Sequence, residues 1–400
     1  MQDNPTNDGA LAGIRVLDAS QMLAGPICAM RLGDLGADVI KVEPPRGEWS
    51  RNRNLRGVQV NGVSPSLLAL NRNKRSVTID FKSPAGLEVF DSLVAASDVV
   101  VQNFRVGTAD RIGVGYERLR KINPRLIYCS ISGYGEVGPY AANPGQDLVI
   151  QGYSGSLWAV GRSSDPPTPN ALWSADVMSG YQAAIGILAA VIARQRTNEG
   201  QRVDVSMLAT VMDCEVQELT THLNSGLLPE RTEEPSAHGW IGAPYGVYET
   251  ADGYMTIAYM PIEGLAEVID APELAELNGV ADGFDRRDEI VRMVAAKLIA
   301  RPTAEWLDAL YARGYMAGPV YTYEDLANDP HVRETGMVVE VDNPAGGTYR
   351  MPNIPLMMSG THPTISRRPP GLSEHTDEVL RDLLGMDSSR IAQLRESGAI

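Results

Sequence analysis

Apolar segments of strand length alternate with segments of helical periodicity through the first half of this 400-residue chain. Period-two or fully apolar segments predict strands, and a 3.6-residue period predicts helices, beginning with residues 25–36. Strands that alternate with helices predict an α/β fold: a Rossmann-like, largely parallel sheet with helices on both faces. The predicted strands are residues 13–18, 38–43, 76–80, 98–102, 126–131 and 201–206.

Helix start and end signals, and a polar linker over residues 228–235, predict the rest of the organisation. Ser83 is the predicted N-cap of a helix over 83–97, with Pro84 as its first residue. Further helices are predicted over 176–197, over 207–223 and from near Ser373, and the Asp252-Gly253 turn predicts a hairpin within 245–259. We predict a large Rossmann-like domain over 1–224, a small α+β domain over 225–325, and a return to the large domain over 326–400.

Composition narrows the class of protein. Four hundred residues predict more than one domain, and 44% apolar residues suffice for a large core. A formal charge of −15 argues against nucleic acid or an anionic membrane as partner. The apolar run 183–193 is too short to span a membrane, and residues 1–8 do not resemble a secretory signal. Together with three cysteines without metal-ligand spacing, this predicts a soluble cytoplasmic protein with buried, reduced thiols at Cys28, Cys129 and Cys214.

Several motifs follow predicted strands, where ligands bind in parallel sheets. The turn Gln21-Met-Leu-Ala-Gly25-Pro26 suits either a phosphate at a helix start or simply a tight connection. Asn103-Phe104 offers an amide and an aromatic face directly after a strand. Cations recur on neighbouring connections, either as an anion site or as a solvated surface; they are Arg72, Lys74, Arg75, Lys82, Arg105 and Arg111. The five scattered histidines do not pair at metal-ligand spacing, so no metal site is predicted.

Asp176 is the leading candidate for chemistry. It stands at the start of the longest apolar helix, without a paired acid or a Ser-His partner nearby in sequence. It is either an N-cap residue or a carboxylate that the helix dipole keeps ionised for attack on an acyl group.

Many ordered motifs together resemble the class III CoA-transferase family, the group of formyl-CoA transferase, carnitine CoA-transferase and α-methylacyl-CoA racemase. The similarity runs over nearly the whole chain. The motifs are Gly13-Ile-Arg-Val-Leu-Asp18, Ala24-Gly-Pro26, Leu35-Gly-Ala-Asp-Val-Ile-Lys-Val-Glu43, Asn71 to Ser76, Asn103-Phe104, Ser132-Gly-Tyr-Gly135, Gly200-Gln-Arg-Val-Asp-Val-Ser206, Ala317-Gly-Pro-Val320 and Glu374-His375-Thr376.

The resemblance implies a fold and a mechanism. Family members have a Rossmann-type large domain and a small domain, and two subunits interlock as a homodimer. Asp176 falls on the family's nucleophile position, where the carboxylate forms an acyl anhydride and then an aspartyl-CoA thioester. Acyl-CoA and a carboxylic acid are then the substrates, and no tightly bound cofactor is expected.

The resemblance also assigns binding residues. The positions that match CoA contacts are Ile79, Lys82, Asn103, Phe104 and Arg111, with Lys82 and Arg111 on phosphates and Asn103 and Phe104 along the pantetheine. Gln146, Leu23 and Gly239 match the acid-binding side of the site. The segment 236–242 around Gly239 is the expected closing loop.

Departures from the family pattern bear on specificity. Gln146 replaces the histidine of the racemase branch and cannot exchange a proton near neutral pH. Leu23 and Pro44 replace a glutamine and an arginine of the formyl-CoA transferase branch. An acyl-CoA racemase and a non-catalytic CoA-binding protein stay as alternatives. A dicarboxylic acid would suit the cations Arg51, Arg53 and Arg56, which otherwise form a solvated loop.

Overall fold

The structure, a computed structural model, describes residues 9–235, 237–277, 279 and 281–400. Its main feature is a six-stranded parallel sheet in the order β3-β2-β1-β4-β5-β6. The prediction of an α/β fold with a parallel sheet is therefore confirmed. The strands are β1 (Arg15–Asp18), β2 (Asp38–Glu43), β3 (Lys74–Thr78), β4 (Val99–Gln102), β5 (Ile127–Ser132) and β6 (Arg202–Ser206).

The helices follow in chain order, together with two smaller antiparallel sheets, β7-β8-β9 and β10-β11. The remaining strands are β7 (Gly246–Glu249), β8 (Tyr254–Ile257), β9 (Ala317–Pro319), β10 (Val338–Asp342) and β11 (Thr348–Pro352). The helices are α1 (Ala24–Asp34), α2 (Pro65–Leu70), α3 (Pro84–Ala95), α4 (Thr108–Arg111), α5 (Tyr116–Ile122), α6 (Asp147–Ser154), α7 (Ser174–Thr197), α8 (Met207–Cys214), α9 (Val216–Ser225), α10 (Ile262–Ile269), α11 (Pro272–Ala275), α12 (Ala281–Asp285), α13 (Arg287–Leu298), α14 (Thr303–Tyr311), α15 (Tyr323–Asn328), α16 (Pro330–Glu334), α17 (Thr376–Asp382) and α18 (Ser388–Glu396).

Period-two alternation in the strands builds a core on each face of the large sheet. On β1, Val16 packs with α1 and α7 on one face, and Leu17 packs with α3, α17 and α18 on the other. The C-terminal helices therefore complete the core that the N-terminal strands begin. Ser83 caps α3 as predicted, its hydroxyl accepting from the Gly86 N–H at 3.4 Å.

Most predicted elements differ from the structure by one or two residues at an end, and three elements show a shift, a break or a later start. β3 begins at Lys74 rather than Ser76, because the charges of Lys74 and Arg75 are paired with Asp18 and Asp38 inside the sheet. The helix predicted over 207–223 is two helices, broken at Glu215 (φ −100°, ψ 28°). Cys214, the last residue of the first of them, is exposed, so its predicted burial is wrong, whereas Cys28 and Cys129 are buried. The last predicted helix begins at Thr376 rather than near Ser373.

The described chain divides into two compact units. The first comprises the chain up to Ile150, Trp173–Val211 and His331–Ile400, and the second comprises Gln151–Leu172 and Met212–Pro330. These limits differ from the predicted boundaries at 224/225 and 325/326. The largest difference is that 151–172 belongs to the second unit, although it precedes α7 in sequence.

The second unit has its own apolar core under the sheet β7-β8-β9. The predicted hairpin is present: β7 and β8 pair in antiparallel register with Glu249 opposite Tyr254, around the Asp252-Gly253 turn. Alternate residues of β8, Met255 and Ile257, are buried against α10, α13 and α14.

The helix α7 is the central helix of the first unit. Gly180 makes its close approach to α1 possible, since a Cβ there would lie 2.6 Å from the carbonyl oxygen of Ala24 and 2.2 Å from Ile27 Cγ2. Among the described residues α7 is also long and apolar enough to span a membrane by length and composition, a test that core helices of soluble proteins pass as well. Its packing on α1 and on the sheet buries 39% of its most apolar 18 residues.

Candidate active site

Asp176 lies at the carboxyl edge of the large sheet, the edge at which its parallel strands end. Helices that connect neighbouring parallel strands run opposite to them and so begin at this edge. Because α7 leads into β6, its first turn lies there, together with the loops that follow β1, β4 and β5. Ligands of open parallel sheets bind at this edge.

Asp176 does not cap its helix. The helix begins at Ser174 with Trp173 in the N-cap position, and no side chain caps it there. The interpretation of Asp176 as an N-cap is therefore wrong, because Asp176 is the third residue of the helix. Its half-buried carboxyl group is available for another role.

Asp147 is the main partner of this position. Its carboxylate Oδ1 accepts a hydrogen bond from the Asp176 N–H at 3.0 Å, and its side chain is buried. Burial and the nearby negative charge of Asp147 raise the pKa of Asp176 to about 7. The pKa is thus shifted in the direction opposite to the one that the helix dipole alone would give, because desolvation and a second carboxylate both disfavour the charged form.

Sequence reasoning did not select Asp147 as a site residue. It is adjacent to the predicted Gln146, which is exposed and whose carbonyl oxygen accepts from the Ile150 N–H. Two glycines bring this segment to the end of β5, since a Cβ on Gly133 would lie 2.8 Å from the Cα of Gly145. An acid that begins a helix after a glycine-rich loop was the available signal.

The loop between β1 and α1, residues 19–23, lies at the same edge of the sheet. Its last residue, Leu23, precedes α1, and the first turn of α1 touches α7 at Gly180. Gly180 is one helical turn beyond Asp176 on the same face of α7. The structure therefore brings Leu23 and Asp176 to neighbouring helix starts.

Asn103 and Phe104 lie directly after β4. The Asn103 side-chain amide makes two hydrogen bonds to the main chain of Gln21, accepting from its N–H at 2.9 Å and donating to its carbonyl oxygen at 2.8 Å. Phe104 packs against the core on one face of the sheet. These hydrogen bonds join the loops after β1 and β4 at the point where the strand order reverses, the ligand-binding position of such sheets.

The other predicted CoA contacts follow β3 and β4. Lys82 and Arg111 are exposed cations in the loop after β3 and at the end of α4. Arg111 also donates to the Thr108 hydroxyl at 3.1 Å. The Ile79 side chain is buried in the core, so a contact of Ile79 with CoA requires its main chain.

The cations expected to hold a second carboxylate are not equivalent. Arg51 makes two hydrogen bonds to the buried Glu43, at 2.7 and 2.6 Å, and its charge is neutralised there. Arg53 and Arg56 are exposed. Gly239 lies in the second unit, where a Cβ would be 2.9 Å from the Cβ of Pro229. Residue 236, at the start of the expected closing loop, is outside the described residues.

Replacing Asp176 with asparagine should stabilise the protein above neutral pH. The folded state must ionise this acid at a pKa of about 7 rather than 3.8, whereas asparagine carries no such cost. Each unit of pKa corresponds to about 1.4 kcal/mol, so the gain at pH 8 is about 4 kcal/mol at most, and less where water reaches the group.

The sign of the effect fixes its pH window. The wild type loses this contribution to stability as the pH rises from about 4 to about 7, and Asp176→Asn does not. Urea unfolding at pH 5 and pH 8 measures the difference, which should be larger at pH 8. The control Glu396→Gln, at an exposed position, should give the same difference at both pH values. An equal difference at both pH values for Asp176→Asn would contradict the raised pKa.

Comparison with known proteins agrees with this fold. The family model for CoA-transferase family III matches residues 11–376. The β subunit of succinyl-CoA–L-malate CoA-transferase from Chloroflexus aurantiacus is 35% identical over 411 residues, with 100% of each chain covered. Succinyl-CoA:glutarate CoA-transferase from Mus musculus is 33% identical over 396 residues, covering 98% of this chain and 90% of the relative.

A solved structure gives the same result. The crystal structure of a CAIB/BAIF family protein from Brucella suis has a TM-score of 0.82 and 33% sequence identity, and the match covers 94% of this chain and 99% of that one. The family resemblance inferred from the motifs is confirmed. The chain belongs to CoA-transferase family III and is a CoA-transferase.

Proposed function

We propose that Asp176 is the nucleophile that transfers CoA from an acyl-CoA to a carboxylic acid. The observation that carries the proposal is a half-buried carboxyl group beside the buried Asp147, at the carboxyl edge of the sheet. Asp176 attacks the thioester carbonyl, forming an anhydride and CoA thiolate. The thiolate attacks the aspartyl carbonyl, forming aspartyl-CoA thioester and releasing the donor acid.

The second half repeats these steps in reverse. The acceptor carboxylate attacks the aspartyl-CoA thioester, giving a new anhydride and CoA thiolate. The thiolate then attacks the acceptor's carbonyl, which yields the new acyl-CoA and restores the Asp176 carboxylate. Each step exchanges an acyl–sulfur bond for an acyl–oxygen bond or the reverse, and these exchanges balance over the cycle. The reaction therefore needs only nucleophilic catalysis and the exclusion of water.

The raised pKa of Asp176 suits this role. A carboxylate with a pKa of about 7 is a stronger base than an ordinary aspartate, and it is still substantially ionised near neutral pH. Asp147 contributes by its charge and by holding the Asp176 main chain. A neutral Gln146 beside it favours transfer over α-proton exchange.

The predicted binding residues stay part of this proposal. Lys82 and Arg111 are proposed to bind CoA phosphates, and Asn103, Phe104 and the Ile79 main chain to line the path of CoA. Leu23, Gln146 and Gly239 are proposed to bound the acid. CoA is a substrate in this scheme, and we expect no tightly bound cofactor.

We further propose succinyl-CoA as donor and a dicarboxylic acid as acceptor. The two relatives described above are named for succinyl-CoA with L-malate and with glutarate. Arg51 is already paired with Glu43, so of these three arginines we propose the exposed Arg53 and Arg56 as the ones that bind a second carboxylate. The cytoplasmic location stays a prediction from composition.

A second copy of the chain is the proposed partner. Met178, Ile185 and Ile192 recur every seven residues on one face of α7 and are 42%, 60% and 60% exposed. An exposed apolar stripe on a helix that otherwise packs in a core is typical of a homodimer interface. This supports the dimer that the family resemblance implies.

Incubation with succinyl-CoA should form a covalent CoA adduct on Asp176. Intact-protein mass spectrometry measures the mass increase, hydroxylamine should remove it, and peptide mapping should locate it at Asp176. Asp176→Asn should abolish the adduct, whereas the exposed Glu396→Gln should form it normally. An adduct that persists in Asp176→Asn would refute the proposed nucleophile.

The rate of adduct formation should depend on the ionisation of Asp176. Below a pH of about 7 the rate should fall roughly tenfold per pH unit, because only the carboxylate attacks. Asp147→Asn removes a negative charge that raises this pKa, so the falling limb should move to lower pH. Its amide oxygen can still accept from the Asp176 N–H. The neutral exchange Gln146→Asn should not change the pH below which the rate falls. If that pH is also unchanged in Asp147→Asn, the charge of Asp147 does not raise the pKa of Asp176.

Charges on the stripe of α7 should dissociate the dimer. Light scattering after gel filtration should give twice the chain mass of 43.2 kDa for the wild type. The double variant Ile185→Glu, Ile192→Glu should give the chain mass itself, because two buried charges per copy lack partners. Met357→Glu, at a fully exposed apolar residue, should stay dimeric. A wild type that runs as a monomer would rule out the proposed interface.

A further inference from the structure

The loop of residues 19–23 is held by side chains from other parts of the first unit. Asp18 accepts from the Ser20 N–H and hydroxyl, and Asn103 pairs with both main-chain groups of Gln21. Lys41 Nζ donates to the Ser20 carbonyl oxygen at 3.3 Å. The loop is therefore ordered both by the local contact of Asp18 with Ser20 and by Lys41 and Asn103, which are distant in sequence.

Met22 has a backbone conformation that requires such support. Its φ of 64° lies in the left-handed region, which residues with a side chain rarely adopt. Its N–H donates to Glu48 Oε2 at 3.3 Å. Sequence gives no reason for this conformation, because neither glycine nor asparagine stands at the position.

Glu48 is almost completely buried, and both of its carboxylate oxygens have hydrogen-bond or ion-pair partners. Its carboxylate accepts from the Ser50 N–H at 2.9 Å and from the Ser50 hydroxyl, and it forms an ion pair with Lys41 at 3.6 Å. Lys41 in turn binds Ser20. The Lys41–Glu48 pair therefore holds the loop at two points, the Ser20 carbonyl oxygen and the Met22 N–H.

The conformation of this loop sets one side of the active site. The loop packs closely on the first turn of α1, because a Cβ on Gly25 would lie 2.3 Å from the Ser20 hydroxyl oxygen. Leu23 follows Met22 directly, and the Ala24 carbonyl oxygen lies against Gly180, one turn beyond Asp176. A change of φ at Met22 redirects Leu23 and displaces the start of α1 relative to Asp176.

We propose that Glu48 is a positioning residue for CoA transfer: it holds Met22 in the left-handed conformation and thereby places the loop of residues 19–23 beside Asp176. The proposal rests on the role proposed for Asp176. It differs from a purely structural role, in which Glu48 serves the stability of the buried ion pair alone.

The proposal predicts a specific pattern of variants. Glu48→Ala should slow the first turnover of adduct formation with succinyl-CoA by roughly tenfold to a hundredfold, the cost of a small misplacement of reacting groups. The concentration of succinyl-CoA that gives half of the maximal rate should change much less. Glu48→Gln retains an oxygen acceptor for the Met22 N–H and should lose far less activity than Glu48→Ala.

The double variant Glu48→Ala, Met22→Gly is the decisive comparison. Glycine adopts a positive φ without a side-chain penalty. The double variant should therefore form the adduct at least about threefold faster than Glu48→Ala alone. A structural control is Arg72→Lys, which weakens the buried Arg72–Asp34 pair at the opposite end of α1. It should lower the melting temperature without the same loss of rate.

A crystal structure of Glu48→Ala separates this proposal from the proposed function. Met22 should leave the left-handed region in that variant. A Met22 that keeps its φ near 64°, or a Met22→Gly exchange without rescue, would overturn the positioning role even if the wild type forms the adduct. Failure of the wild type to form any adduct would refute the role of Asp176 instead, and the φ of Met22 would still decide whether Glu48 holds the loop.

Discussion

The backbone contact between α1 and α7 at Gly180 is the constraint on which the site depends. A side chain at this position would meet Ala24 and Ile27 at distances that atoms cannot occupy. The contact brings two helix starts together at the carboxyl edge of the sheet. It therefore determines how far Asp176 lies from the loop after β1, which neither element could determine alone.

The energetics of Asp176 show a conflict between stability and function. Burial and the Asp147 charge make ionisation of this acid unfavourable in the folded protein. The same environment makes the carboxylate, once formed, more basic and better shielded from water. Acids and bases at active sites are commonly shifted in this way, and the fold bears the cost.

Three buried ion pairs lie near the loop of residues 19–23. They join Asp18 with Lys74, Glu43 with Arg51 and Glu48 with Lys41, and Asp18 and Glu43 are the last residues of β1 and β2. Burial is the main reason that the pKa of Lys74 is lowered to about 8, although the charge of Asp18 acts in the opposite direction. Such pairs contribute little net stability, but removing one partner leaves an unpaired charge, so they fix geometry firmly. The loop of residues 19–23 is positioned by this layer.

The sequence by itself determined the sheet, its order of strands and helices, and the family. Periodicity is a short-range property, and six strands with intervening helices have few parallel arrangements. The motif order was enough to select Asp176 and the residues after β4. The capping of α3 by Ser83 could likewise be predicted, because a cap involves only residues within one helical turn.

Tertiary structure alone decided the electrostatics and the loop geometry. The hydrogen bond from the Asp176 N–H to Asp147 joins residues 29 positions apart, and burial together with the charge of Asp147 raises the pKa of Asp176. The neutralisation of Arg51 by Glu43, the start of β3 at Lys74 and the left-handed Met22 all depend on charges brought from other strands. Local pattern carries no information on such contacts, because burial and charge partners are set only when distant segments pack together.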